Sequence, residues 1–250
     1  MDSPYIHTVF RESIMAQPVL NVEAIHPDLW RASQLASAHG RMISSGHARL
    51  DAELPGQGWP TGTLTEVILP QPGCGELRLL KPAFEAVAGR PVFMLQPPHR
   101  LQPAAFAWWG ADNLRVLKAP TTADSLWAAD QILRAGTAGA VLFWQQQVRP
   151  EALRRLQLAA QRADTLLFLF RPLAAASATS PAPLRIALDA VQGGLNVSFV
   201  KRRGPHRDDP VFVALSPSPV LLTRNAPLDW RSSSAPARRE FLPDLAHASV

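Results

Sequence analysis

Residues 63–80 read TLTEVILPQPGCGELRLL, and this stretch decides the fold that we predict for the chain. Its first part, Thr63–Leu69, is rich in Thr, Val, Ile and Leu, which is the composition of a buried strand. A turn of prolines and glycines follows, and then Leu77, Leu80 and Phe84 recur at helical spacing. The stretch therefore predicts a strand, a glycine-rich turn and a helix over 76–87.

A glycine-rich turn between a strand and a helix is where a P-loop cradles phosphates with its backbone amides. A working P-loop also needs a lysine that reaches the β- and γ-phosphates and a Ser or Thr that holds magnesium. In this chain Glu76 and Leu77 occupy those two positions, after Gly73 and Gly75. A carboxylate repels a triphosphate, leucine cannot ligate a metal, and Lys81 lies more than one helical turn downstream. This degenerate loop therefore predicts no bound cofactor, no metal and no nucleotide hydrolysis.

Further apolar runs alternate with helical patterns, which predicts an α/β fold with a parallel sheet and right-handed crossovers. The strands expected in this part are 63–69, 91–95, 114–117, 140–144 and 165–170. Between them we expect helices over 122–134, with Thr122 as the N-cap, and from about Pro150 onward. After Pro183 the runs 184–189, 195–200 and 211–215 are linked by Gly/Pro turns, as in an antiparallel edge of the same sheet.

The chain divides by composition into three parts. Residues 1–42 form an N-terminal segment with one helix expected over 27–40, and residues 43–215 carry the alternating core. Residues 216–250 are rich in Pro, Ser and Arg, a composition that forms a poor core, and we interpret them as a tail.

From Ile43 onward, ISSGHARLDAELPGQGWPTGTLTEVILPQPGCGELRLL resembles the opening of the RecA core, and the resemblance extends in order to about Leu215. Within that superfamily, GELRLL and PPHRLQPAAFAWWG (97–110) resemble the ImuA family of translesion-synthesis accessory proteins, and SulA-type division inhibitors share the same degenerate core. The resemblance implies a RecA-like core with a mostly parallel central sheet flanked by helices and an antiparallel C-terminal edge.

Two further positions depart from the RecA pattern. That pattern places a catalytic glutamate just before a histidine after the second core strand, whereas here Pro98 precedes His99. It also ends the fourth core strand in an aspartate that helps to hold magnesium, whereas this strand ends in Trp144. Together with the loop, these departures predict a pseudo-ATPase and not an enzyme. His99 is more simply explained as a loop or core residue than as a remnant of catalysis.

What the ImuA resemblance implies is a non-catalytic adaptor in the SOS response to DNA damage. Its expected partners are ImuB, which is a catalytically inactive Y-family polymerase homologue, an error-prone C-family DNA polymerase, and RecA as a further contact. Two other functions stay open: a SulA-like inhibitor of cell division, and a nucleotide-dependent DNA-binding recombination protein.

Direct DNA contact is expected to be weak. The loop corresponding to the first DNA-binding loop of RecA is almost absent after Trp144, and the second, 172–183, is rich in Ala, Ser and Pro and carries no charge. Backbone binding needs clustered cations. The chain has 25 Lys and Arg against 20 Asp and Glu, a formal net charge of +5, and only three of the basic residues are lysines.

Two basic clusters are candidate partner or DNA surfaces. One comprises Lys201, Arg202, Arg203 and Arg207 in an expected hairpin turn, and the other comprises Arg154 and Arg155, with Arg162, on the polar side of a helix whose buried stripe includes Leu153, Leu156 and Ala160. A solvated basic surface explains either cluster equally well.

Apolar anchors for a partner are the other candidates. Trp230 and Phe241 lie in the Pro-rich tail, and segments that order on a partner often present such anchors. Trp230 packed onto this chain's own core is the alternative. Phe106, Trp108 and Trp109 form a second apolar group.

Cysteine usage and hydropathy predict a cytoplasmic protein. The lone Cys74 has no partner for an internal disulfide. No N-terminal run resembles a signal peptide, and no apolar stretch approaches the length of a transmembrane helix, so no membrane contact is expected.

Overall fold

The computed structural model of the 250-residue chain describes residues 41–100, 113–204 and 207–215. These residues form ten strands and four α-helices. The strands are β1 (Met42–Ile43), β2 (Trp59–Pro60), β3 (Thr63–Leu69), β4 (Val92–Leu95), β5 (Leu114–Leu117), β6 (Ala140–Trp144), β7 (Leu166–Pro172), β8 (Leu184–Val191), β9 (Gly194–Lys201) and β10 (Val211–Ala214). The helices are α1 (Ala48–Asp51), α2 (Glu76–Ala86), α3 (Thr122–Ala135) and α4 (Pro150–Ala160), and a 3-10 turn covers Leu173–Ala175.

Eight of the strands form one central sheet in the order β10-β9-β8-β3-β7-β6-β4-β5. The six strands from β8 to β5 are parallel, while β9 pairs antiparallel with both β8 and β10. Strands β1 and β2 form a separate antiparallel pair. The architecture is α/β with a mostly parallel central sheet, flanking helices and an antiparallel C-terminal edge. It is consistent with a RecA-like core, as the sequence predicts.

Apolar side chains cover both faces of the central strands, and β3, β6 and β7 are buried along almost their whole length. On one face Trp59 packs edge-on against Phe168, with ring centroids 5.4 Å apart, beside Leu80 and Phe84 of α2. On the other face α3 and α4 pack against each other and against the sheet. Ala129 and Leu133 of α3 are buried, and so are Leu153, Leu156 and Ala160 of α4, which form the stripe predicted for that helix.

The ends of the helices and strands differ from the predictions by one or two residues. At the start of α3 the difference changes which residue caps the helix. The N-cap of α3 is Thr121, whose hydroxyl accepts a hydrogen bond from Asp124 N at 3.1 Å, so the prediction of Thr122 as the cap is wrong. Both threonines precede the apolar stripe, but only Thr121 has the extended backbone that a cap requires.

The turn at Gly193-Gly194 joins β8 to β9, as predicted for a hairpin. Gly193 has a φ of 81°, and a β-carbon at Gly194 would lie 2.1 Å from Val213 O on the neighbouring strand β10. Only glycine fits there. The expected N-terminal helix over 27–40 and the tail 216–250 lie outside the described residues.

Candidate functional site

The loop between β3 and α2 lies at the carboxyl end of a central strand, where open α/β sheets bind ligands. Gly73 and Gly75 have φ angles of 87° and 121°, which side chains with a β-carbon rarely adopt. Space is also limited, because a β-carbon at Gly75 would lie 3.2 Å from Leu215 Cδ1. The two glycines thus allow the chain to turn tightly and start α2 at Glu76.

The carboxylate of Glu76 turns back onto the loop that precedes it. Gly73 N donates a hydrogen bond to Glu76 Oε1 at 2.8 Å, and Gly75 N donates one to Oε2 at 3.1 Å. The side chain is buried, and its negative charge lies at the N-terminus of α2, where the helix dipole favours an anion. Backbone amides that hold phosphate in a P-loop therefore bind this chain's own carboxylate.

Sequence reasoning identified Glu76 only as a residue that repels a triphosphate. The structure adds that this side chain occupies the amide donors of the loop. An acidic residue at the first position of a helix was the available signal, since a carboxylate there is favoured by the helix N-terminus.

The other residues of the loop surround this contact. Burial and the neighbouring carboxylate of Glu76 raise the pKa of the Cys74 thiol to about 11. Leu77 packs partly buried against the core, and Lys81 forms an ion pair with Glu85 one turn along α2. A β-carbon at Gly73 would lie 3.6 Å from His99 Nε2, so the His99 ring lies beside the loop.

A cavity of about 540 Å³ opens at the carboxyl ends of β3, β4, β6 and β7. Its lining combines prolines, aromatic rings, carboxamides and one arginine. The lining residues are Leu69, Pro70, Pro72, Gln96, Pro98, Thr122, Trp144, Gln145, Gln146, Gln147, Phe170, Arg171 and Pro172.

The cavity brings together Pro98 and Trp144, the two positions outside the glycine loop at which the sequence departs from the RecA pattern. The Trp144 ring stacks on Phe170, with centroids 4.5 Å apart and an angle of 18° between the planes. Its indole Nε1 is buried and has no hydrogen-bond partner among the described residues. Gln96 adds a strained backbone, with a φ of 54°. Its side-chain Nε2 donates a hydrogen bond to Ala119 O at 2.6 Å.

Beneath one side of the cavity lies a buried ionic cluster that sequence reasoning missed. It consists of Glu66 on β3, Arg171 on β7 and Arg185 on β8, and we call it the Glu66 cluster. Their side chains are 0%, 7% and 6% exposed. Charged residues inside the apolar runs TLTEVIL, LLFLFRP and LRIALDAV were the signal, because a charge in a strand buried on both faces needs a partner.

The first basic cluster lies at the β9–β10 connection, as predicted, but two of its arginines bind within the chain. Arg202 Nη1 donates to Glu53 Oε2 at 2.9 Å, its guanidinium lies 4.9 Å from the centre of the Phe199 ring, and Arg207 also pairs with Glu53. Lys201 Nζ donates to Ser180 O at 3.0 Å, and Arg203 is exposed. The ion pairs of Arg202 and Arg207 thus hold the β9–β10 connection against Glu53, in the segment that follows α1.

The second basic cluster is exposed. Arg154 and Arg155 lie on the outer side of α4, opposite Leu153 and the rest of the buried stripe. The remaining predicted contact residues, Trp230 and Phe241, lie outside the described residues, as do Phe106, Trp108 and Trp109. These surfaces stay predictions.

In the described residues, no group of three or more His, Cys, Asp and Glu side chains is placed to hold a metal ion. No helix in the same ranges is both long and apolar enough to cross a membrane. Comparison of the sequence with family models and with curated proteins found no match.

Proposed function

We propose that this protein is a non-catalytic RecA-like adaptor, a pseudo-ATPase that acts in the cytoplasm during SOS-induced mutagenic translesion DNA synthesis. It would bridge ImuB and an error-prone C-family DNA polymerase, with RecA as a further partner. The observation that carries the non-catalytic part is the Glu76 carboxylate on the amides of Gly73 and Gly75. The choice of partners rests on the sequence resemblance to the ImuA family.

Electrostatics supports the non-catalytic part of this proposal. A nucleotide phosphate would have to displace the Glu76 side chain, which is covalently attached and so cannot diffuse away. The displaced carboxylate would remain close to the phosphate and repel it. Phosphoryl transfer also depends on charge stabilisation around the transferred group, and Leu77 and Trp144 offer none at the positions where the RecA pattern has metal-binding residues.

The test is a binding assay with the purified full-length chain as bait and ImuB, the C-family polymerase and RecA as separate prey, each with and without ATP. We expect ImuB to be captured equally well in both conditions. Trp230→Ala and Phe241→Ala should weaken capture if the tail holds the contact. Trp127→Ala is the matched control, because Trp127 is an exposed tryptophan on α3, with 62% of its surface accessible.

Two parallel assays address the alternatives. Inhibition of polymerisation of the tubulin-like division protein, without capture of ImuB, would favour the SulA-like function. ATP-dependent capture, together with ATP-dependent binding of single-stranded DNA, would favour the recombination protein and contradict the proposal.

A further inference from the structure

The Glu66 cluster contains one carboxylate and two guanidinium groups on three adjacent strands. Arg171 and Arg185 lie on the two strands that flank β3, which carries Glu66. An arginine side chain stays protonated in proteins. Within the described ranges, the ion pairs of both arginines involve Glu66 alone, so one positive charge in the cluster is not balanced.

The hydrogen bonds show which arginine carries the excess charge. Arg185 Nε donates to Glu66 Oε2 at 2.8 Å, and its two Nη atoms donate to Ala175 O at 2.7 Å and Ala176 O at 3.2 Å. Ser180 Oγ donates to Glu66 Oε1 at 2.7 Å. All three guanidinium nitrogens of Arg185 therefore donate a hydrogen bond, and each oxygen of the Glu66 carboxylate accepts one from a residue other than Arg171.

Arg171 has no comparable partners. Its Nη1 lies 3.6 Å from Glu66 Oε1, which is beyond hydrogen-bond distance. Its Nε and Nη1 atoms are buried, and neither donates a hydrogen bond to any acceptor in the part of the chain that the structure describes. Arg171 therefore shares the single carboxylate of Glu66 with Arg185 and has no hydrogen bond from Nε or Nη1. Such a buried guanidinium is unfavourable, and proteins normally supply an anion or an acceptor to it.

The position of Arg171 indicates where such an anion would bind. The residue lies near the end of β7 and lines the cavity of about 540 Å³, together with Trp144, whose indole N–H also has no partner among the described residues. Gln96, at the end of β4, lines the same cavity with its backbone in the left-handed region. Strained residues and unpaired donors at the carboxyl ends of parallel strands are features of ligand sites.

We propose that this cavity binds a carboxylate attached to an apolar body, with Arg171 as the charged anchor. A single guanidinium matches the charge of a single carboxylate, and charge-assisted N–H···O bonds between these groups are short and strong. A phosphate dianion would need more donors, and Glu76 already occupies the loop amides of Gly73 and Gly75. The stacked rings of Trp144 and Phe170 and the nearby prolines provide an apolar wall for the rest of the ligand.

Such a carboxylate can be an acidic side chain of a peptide segment or part of a small organic acid. The volume is within the range of pockets that hold small molecules. The shared chemistry is one carboxylate beside an apolar group, and two probe pairs distinguish the sources. One pair is 3-phenylpropanoate and 3-phenylpropanamide, and the other is acetyl-Asp-Phe-amide and acetyl-Asn-Phe-amide.

The experiment measures the affinity of all four probes for the full-length protein by ligand-observed NMR, with inorganic phosphate as a fifth probe. We expect at least one acid to bind tenfold or more tightly than its matched amide, and more tightly than phosphate. Arg171→Gln should abolish this preference. Arg154→Gln is the matched control, since Arg154 is an exposed arginine on α4 whose loss removes the same charge elsewhere.

A second variant leaves the ionic cluster intact. Gln146 lines the cavity and is exposed, so Gln146→Trp should fill the cavity and lower the affinity for the acid at least tenfold while the chain stays folded. Preference for the acid in either probe pair supports the site and identifies the source. Equal binding of acid and amide in both pairs, tighter binding of phosphate, or unchanged preference in Arg171→Gln would overturn the proposal.

Discussion

Replacing Glu76 with alanine tests the idea that this side chain takes the place of a phosphate. The variant removes both acceptors from the amides of Gly73 and Gly75, which in the wild type donate to the carboxylate at 2.8 and 3.1 Å. It also removes a buried negative charge from the N-terminus of α2. Both losses act on the folded state, because the amides and the carboxylate are hydrated in the unfolded chain.

The expected loss of stability follows from these contacts. Hydrogen bonds to a charged group contribute about 1.5–3 kcal/mol each, and a charge at a helix end contributes about 0.3–1 kcal/mol. Water that enters the vacated space offsets part of this. We therefore expect Glu76→Ala to lower the free energy of unfolding by about 3 kcal/mol. In a domain of this size the melting temperature should fall by about 6–12 °C.

Added anions provide the more specific readout. The alanine variant leaves two backbone donors facing an empty space at a helix N-terminus, which is an anion site. Phosphate at ten times its dissociation constant should stabilise this variant by about 1.4 kcal/mol. The wild type should gain nothing specific from phosphate, because Glu76 already fills the site. Glu85→Ala is the matched control, since Glu85 lies on the same helix, is partly exposed and pairs only with Lys81 in the described structure.

The assay is thermal unfolding of the full-length chain, followed by circular dichroism, in phosphate and in sodium chloride of equal ionic strength. A phosphate-specific gain in Glu76→Ala, absent from the wild type and from Glu85→Ala, is the expected result. If Glu76→Ala unfolded within 2 °C of the wild type, or if phosphate stabilised all three proteins equally, the carboxylate would not be acting as an internal phosphate substitute.

Three further predictions concern ionisable groups that are buried or partly buried. Because burial and the charge of Glu76 raise the pKa of Cys74 to about 11, Cys74 should react slowly with iodoacetamide at pH 8, and faster in Glu76→Gln, as measured by mass spectrometry. Arg185→Met should lower the free energy of unfolding, measured in urea, by about 3–5 kcal/mol, because it leaves the buried Glu66 carboxylate poorly paired. Arg171→Met should leave this free energy within about 1 kcal/mol of the wild type or raise it, because Arg185 still pairs with Glu66. Burial lowers the pKa of His47 below 6.5, so protonation of the ring disfavours the folded state and the free energy of unfolding should fall as the pH drops below about 6.5. His47→Gln should reduce that fall, as measured by urea unfolding between pH 8 and pH 5.

Much of the fold was predictable because its central strands β3, β6 and β7 are buried on both faces. TLTEVIL and AVLFW are continuous apolar runs, and both form strands at the predicted residues. The parallel arrangement followed from the alternation of strands with helices. The start of α3 was assigned one residue late because two adjacent threonines precede the apolar stripe. The choice of Thr121 depends on backbone angles that the residue types do not determine.

The candidate site was predictable only in part. The sequence indicated that Glu76 replaces a phosphate-binding lysine, but the return of its carboxylate onto Gly73 and Gly75 depends on the two left-handed glycine conformations. The Glu66 cluster joins Glu66 to two arginines that each lie more than a hundred positions away in the sequence, through the order of β7, β3 and β8 in the sheet. A charge in an apolar run indicates that a partner is needed, but only the sheet order identifies it.

The two charged features have opposite consequences for binding at this edge of the sheet. The loop amides of Gly73 and Gly75 bind Glu76 of the same chain, so the effective concentration of this carboxylate is fixed. We therefore expect the loop to be insensitive to the nucleotide concentration. Arg171 is left with an unbalanced charge, so its environment does change when an anion binds. A ligand-dependent response at this edge should therefore arise at the cavity beside Arg171 and not at the glycine loop.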